Sequence, residues 1–155
     1  MAEEVLFDLL HLELVSLFTS FSDDSKEFDA SKLEAIGYCT GYRLVERLTK
    51  DWARFKDELD IMKFICKDFW SNVFKKEINN LRTNNQGVYV LQDNSFRFLS
   101  RVTHSDQFLS ATPKYLAFTC GLVRGALMNL GIVSVVTADV STPPNCKFQV
   151  IAHRM

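Results

Sequence analysis

The side chains that could do chemistry in this sequence are few and far apart. Nucleophilic catalysis needs a Ser, Cys or Thr held against a base and an orienting group, and the imidazole bases on offer are His11, His104 and His153. The first falls in the polar stripe of a helix, the second in a loop and the third at a strand end, so all three read as solvated or structural. Neither G-x-S-x-G nor H-E-x-x-H occurs, and there is no G-x-x-x-x-G-K-[ST] phosphate loop. Asp57, Glu58 and Asp60 form a tight acidic group, but they stand where a helix begins and where the helix dipole favours negative charge. Cys39, Cys66, Cys120 and Cys146 contain no C-x-x-C pair. They are expected to be free, mostly buried thiols in a reducing compartment. The reading is of a protein with no catalytic residue, no metal and no cofactor of its own.

Glycine spacing says more. Gly37 and Gly41 are four apart within one helical segment, and Gly121 and Gly125 are four apart within another. Each costs about 1 kcal/mol relative to alanine inside a helix. Together that is roughly 4 kcal/mol, large beside a typical stability of about 5–15 kcal/mol. Such a cost is most simply met if two helix backbones approach closely at these positions.

The first helix, Glu3 to Phe21, is the strongest functional clue. Glu4, Asp8, His11 and Thr19 form one polar stripe, and the rest of the wheel carries Val5, Leu6, Phe7, Leu9, Leu10, Leu12, Leu14, Leu17, Phe18 and Phe21. That arc is wider than the apolar face of an ordinary surface helix. Exposing even four of the leucines would forgo on the order of 6–12 kcal/mol of burial. Either the helix is sandwiched inside its own domain, or it is covered by another protein; exposed apolar patches of this kind mark partner surfaces.

The remaining elements follow from periodicity. A second helix is expected over Asp29–Lys50, with Ser31 and Glu34 as a capping box and Leu33, Ile36, Leu44, Val45 and Leu48 as its apolar positions. A third is expected over Asp57–Asn79, with Lys63, Lys67, Lys75 and Lys76 outermost. Thr83–Gly87 is turn-prone and ends this part. Val88–Leu91 and Phe96–Leu99 read as a hairpin around Gln92–Ser95, and Arg101–Thr112 as loop with a short helical turn. A fourth helix runs from Pro113 to Leu130, capped by Gly131. Ile132–Val140 and Cys146–His153 form a second hairpin. The expected fold class is therefore an α/β (α+β) plait: one domain over residues 1–155, with a four-stranded antiparallel sheet packed against four main helices.

With 18 basic and 19 acidic residues among 155, the chain lacks the electrostatic footprint of a nucleic-acid binder. Its 47% hydrophobic content excludes disorder. The acidic start Met-Ala-Glu-Glu is unlike a secretory signal. The longest apolar stretch, Tyr115–Val136, is interrupted by Arg124 and Gly131 and reads as a core helix followed by a core strand, not a membrane span.

Several blocks resemble a known family. These are Arg54–Trp70 (RFKDELDIMKFICKDFW), Gly37-x-x-x-Gly41-Tyr42-Arg43-Leu44-Val45-Glu46-Arg47, Lys114–Gly125 (KYLAFTCGLVRG), Tyr89–Asn94 and Cys146–Val150. In order and over nearly the whole chain they resemble the small subunits of the transport protein particle (TRAPP), specifically the subunit-six branch of the Bet-three-like family. The resemblance implies a twisted antiparallel sheet backed by helices. It also implies a non-enzymatic scaffold role in a vesicle-tethering complex serving endoplasmic reticulum–Golgi and Golgi transport. Such a protein would be cytoplasmic and peripheral at cis-Golgi and endoplasmic reticulum membranes. The implied partners are a Bet-three-type subunit, bound through the first two helices, and other TRAPP subunits; a Rab GTPase would be reached only through nucleotide exchange by the assembled complex. The Bet-three branch carries a fatty acyl chain on a cysteine just before the third helix. The matching position here is Phe55, which has no thiol, so no acylation is expected there.

The interface residues expected on this reading are Leu6, Leu9, Leu10, Leu17 and Phe18 from the first helix and Leu33, Leu44 and Leu48 from the second. The rival reading is a binding module for a small apolar ligand such as a lipid, with a pocket under the fourth helix lined by Phe69, Trp70 and Phe118.

Overall fold

The glycine spacing, the periodic apolar runs and the strand alternation all find their places in a computed structural model of the chain, which describes residues 2–20, 30–100, 112–142 and 144–153. Helix α1 spans Ala2–Ser20 and α2 spans Ser31–Leu48. The third helical segment is composite: α3 (Glu58–Phe64), a π-helical stretch Ile65–Phe69, and α4 (Trp70–Phe74). Strands β1 (Asn80–Thr83) and β2 (Val88–Asp93) follow, then a short α5 (Arg97–Ser100) and the long α6 (Thr112–Asn129). Strands β3 (Ser134–Val140) and β4 (Cys146–Ala152) complete the order. The loop expected at 22–25, and the mixed segment expected at 101–111, lie outside the described residues.

All strand pairs are antiparallel, in the order β1-β2-β4-β3. Strand β4 alternates as expected: Cys146, Phe148 and Val150 point into the core and Lys147, Gln149 and Ile151 away from it. The core is rich in aromatic rings. Trp70 meets Phe74, Phe96 and Phe148 at centroid distances of 4.6–6.1 Å. The indole N–H donates to the buried carboxylate of Asp93 at 3.0 Å, and Lys76 closes an ion pair with the same group at 2.5 Å. A buried carboxylate needs such partners, and here they tie α4 to the end of β2.

Three expectations need correcting. The third helix does not continue to Asn79: Lys75 adopts a left-handed conformation (φ 61°) and ends it. The π stretch frees the Cys66 carbonyl, which accepts the Ile78 N–H at 2.9 Å instead. Second, the partner of β2 is not Phe96–Leu99 but β1, reached through the turn Asn84–Gly87. Asn85 and Gly87 there take positive φ, and the Asn84 side chain accepts from the amides of Gln86 and Val88. Phe96–Leu99 instead enters a helical turn, in which the amides of Leu99 and Ser100 both donate to the Phe96 carbonyl. Third, Ser31 and Glu34 do not make a capping box. Ala30 is the N-cap residue and makes no side-chain cap bond, while Glu34 faces Arg124 across the helix pair at 3.3 Å.

The glycine expectation holds in detail. A Cβ on Gly37 would run into the carbonyl oxygen of Phe118, and one on Gly41 into that of Leu122. Reciprocally, Gly121 faces the Glu34 carbonyl and Gly125 that of Tyr38. Helices α2 and α6 thus interlock backbone to backbone. Neither side can yield, because the obstructing atoms belong to helical main chain. Replacing Gly41 or Gly125 by leucine is expected to cost at least about 3 kcal/mol, the upper end of ordinary overpacking, or to prevent folding. Urea denaturation of each variant measures this, and an unchanged transition midpoint would contradict the close crossing.

Candidate partner interface

The wheel of α1 is mounted opposite to the usual way. Asp8, His11 and Val15 are buried, whereas Leu6, Leu9, Leu10 and Leu17 are 66%, 51%, 58% and 46% exposed. Val5 and Leu12 are exposed as well. Asp8 and His11 of the polar stripe face the body of the protein beside Phe7, Leu14, Val15 and Phe18, and the other leucines face out.

The cause is an electrostatic anchor. Arg97, at the start of α5, donates from Nε to Asp8 Oδ1 at 2.7 Å and from Nη2 to Oδ2 at 3.2 Å. Its Nη2 also lies 4.0 Å from Glu4. Both side chains of the main pair are largely sheltered, so taking away one partner would leave a buried charge at a cost of about 3–5 kcal/mol. One turn further along, His11 lies flat on Phe98, with centroids 3.6 Å apart and planes 4° from parallel. The edge of Phe118 and the ring of Tyr115 complete its surroundings. Neither ring nitrogen has a hydrogen-bond partner among the described residues. Burial lowers its pKa from 6.5 to about 4, against the smaller opposing pull of the Asp8 charge. His11 is thus a neutral aromatic plate, the structural and not the solvated one of the two roles expected for it.

The other sequence-named positions divide. Phe18 is half-buried and packs on the small cluster of Val15, Leu33 and Ala117. Leu33 is fully enclosed. Its assignment to the interface is corrected: it belongs to the intramolecular core, on the α2 face that meets α1 and α6. Leu44 and Leu48 are half-buried against the main core. Arg97, which fixes the whole arrangement, carried no signal in the sequence: it lies 89 residues from Asp8 and inside what reads as a strand.

The pocket expected from the rival reading is not formed by its named residues. Phe69 and Trp70 are fully buried in the packed aromatic core. Phe118 does border an open cleft of about 210 Å³, together with Phe7, Leu44, Val73 and Leu122. That is below the ~300–1,000 Å³ of small-molecule pockets.

The acidic group is structural in its geometry. Asp57 caps α3 by accepting the Asp60 amide at 2.8 Å, Asp60 accepts the Lys56 amide at 3.2 Å, and Glu58 accepts the Tyr89 hydroxyl at 2.6 Å. Burial pushes the thiols of Cys66 and Cys120 up to about 12 and raises Cys146 as well. These are not thiolate nucleophiles at neutral pH. Cys39 is exposed on α2. Phe55 is half-buried, its ring 5.3 Å from that of Phe64. Among the described residues, no helix is long and apolar enough to cross a membrane, and no His, Cys, Asp and Glu side chains gather into a metal-binding group.

The structure is thus a four-stranded sheet clad by helices, with leucines exposed on an anchored first helix. The family model for transport protein particle (TRAPP) components matches residues 7–153. Trafficking protein particle complex subunit 6B of Mus musculus is 59% identical over the whole of both chains, and subunit 6b of Danio rerio is 57% identical over the same extent. Subunit 6A of Homo sapiens is 50% identical over 97% of this chain and 98% of its own. A crystal structure of a trafficking protein particle complex subunit 3 from Naegleria fowleri, covalently bound to palmitic acid, superposes with a TM-score of 0.78 over 97% of this chain and 96% of that one. At 18% identity it shares the fold. The chain belongs to the TRAPP component family, in its subunit-six branch.

The buried imidazole gives a pH dependence of definite sign. Unfolded, His11 takes a proton near its ordinary 6.5; folded, it resists protonation until about 4. The unfolded chain therefore binds more protons in that window, and stability falls as pH drops from 6.5 towards 4, by up to roughly 3 kcal/mol. Urea titrations between these limits are expected to show this slope in the natural sequence and a shallower one in His11→Leu. Equal slopes would contradict the neutral, buried state of the ring.

Proposed function

We propose that this chain is a non-enzymatic scaffold subunit of a vesicle-tethering complex, and that it works by pairing with a Bet-three-type subunit through α1 and α2. In this reading its service is to transport from the endoplasmic reticulum to the Golgi and within the Golgi. Other TRAPP subunits hold its remaining faces. Nucleotide exchange on a Rab GTPase is a property of the assembled complex and not of this chain. It is cytoplasmic, and peripheral at cis-Golgi and endoplasmic reticulum membranes.

The observation that carries the proposal is the outward display of Leu6, Leu9 and Leu10 by a helix anchored through Asp8. Each such side chain is worth about 1.5–3 kcal/mol when fully buried, so a covering partner recovers a stabilisation comparable to that of a small domain. The family resemblance points to a related subunit as that partner. The same reading leaves Phe55 unacylated, since its phenyl ring offers no thioester sulfur and already packs on Phe64.

The chain is expected to co-elute one-to-one with a Bet-three-type subunit, with the mass of a heterodimer by light scattering, and Leu6→Glu/Leu10→Glu is expected to abolish the pair while leaving the helical circular dichroism intact. A soluble monomer that ignores the subunit and copurifies with lipid would contradict this and favour the apolar-ligand module.

A further inference from the structure

The surface beside the α1 leucines carries information about the helix that covers them. The two helices run antiparallel: Leu14 and Phe18 near the end of α1 pack with Ala30 and Leu33 at the start of α2, and Phe7 shares a cleft with Thr40 and Leu44 towards its end. That cleft continues, through the same Thr40 and Leu44, into a groove walled by Cys39, Arg43 and Arg47. Arg43 and Arg47 are four residues apart and so share one face of α2. Lys32, three turns before Arg43, lies on the same crest. All three are exposed, and none has an ion-pair partner among the described residues. Glu46, also exposed, is about 100° round the helix from Arg47 but only three residues from Arg43 and so beside it, without a close ion pair among the described residues; the crest keeps a net positive charge. The rest of the cleft is lined by charges of both signs, Glu3 and Glu4 with Lys75 and Arg97, of which Arg97 lies 4.0 Å from Glu4.

The apolar seam is thus bordered by basic charge on the α2 side and by mixed, mutually offsetting charge on the other. An amphipathic helix laid in it is discriminated by direction, because only one orientation puts its acidic flank against the arginines. We propose that the covering helix of the sibling subunit carries carboxylates on the flank facing Arg43 and Arg47, and that these charges set its direction and speed its arrival. This rests on the pairing proposed above and specifies the chemistry of the partner. Complementary charge at an interface rim acts chiefly on association rate and on the rejection of wrong partners.

The test is association kinetics of the full chain with the Bet-three-type subunit, at about 50 and about 300 mM salt, which spans strong to weak screening. Wild-type association is expected to slow with salt. Arg43→Glu/Arg47→Glu is expected to associate about tenfold more slowly at low salt and to lose the salt dependence, while Arg43→Lys/Arg47→Lys stays within about twofold of wild type. If the reversed variant matches wild type at both salts while Leu10→Glu abolishes binding, the charge inference is overturned and the leucine interface stands. If the wild-type chain does not bind at all, the pairing itself fails and the inference falls with it.

Discussion

A single buried ion pair determines which way the first helix faces. Arg97 grips both oxygens of Asp8, and with His11 stacked on Phe98 it holds the polar side of α1 against the protein. Phe7, Leu14, Val15 and Phe18 share that inner side. Rotating the outer leucines inward would expose them and would break a sheltered ion pair whose members are costly to leave unpaired. The outer leucines are left exposed in the lone chain, and on the proposed pairing it is a sibling subunit that covers them.

The platform beneath is rigid for a different reason. Helices α2 and α6 cross on four glycines, each facing a carbonyl of the other helix. This contact leaves no room for side chains to repack, so the α2 crest with Arg43 and Arg47 keeps a fixed position relative to the core. The Trp70–Asp93–Lys76 network fixes the same core at another point, where it joins α4 to β2. The α2 side of an interface made on α1 and α2 is therefore presented by a preorganised body, and association spends little free energy on ordering that side.

Much of this was legible in the sequence, and the failures have physical causes. The antiparallel sheet, the long helices and the glycine crossing followed from period, turn chemistry and the cost of Gly in a helix. The family followed from the Arg54–Trp70 block. The polar β1, with only Leu81 half-buried, gives no alternating signal, and periodicity places no strand between a helix ending at Asn79 and the turn from Thr83. Phe96–Leu99 was apolar enough for a strand, but its hydrogen bonds are those of a helical turn. Leu33 was named for the interface because an apolar residue on an amphipathic helix looks the same whether it meets its own core or a partner. Which side of α1 faces inward was the least legible feature, since it depends on one arginine 89 residues away.

The most direct test is hydrogen exchange along α1, measured on the lone chain and again after addition of the Bet-three-type subunit. Expected are α1 amides that exchange readily in the lone chain and slow by at least about tenfold in the pair, with the α2–α6 crossing protected in both. Equal, strong protection of α1 in both samples would mean that the helix is already complete within its own fold, and that its leucines await no partner.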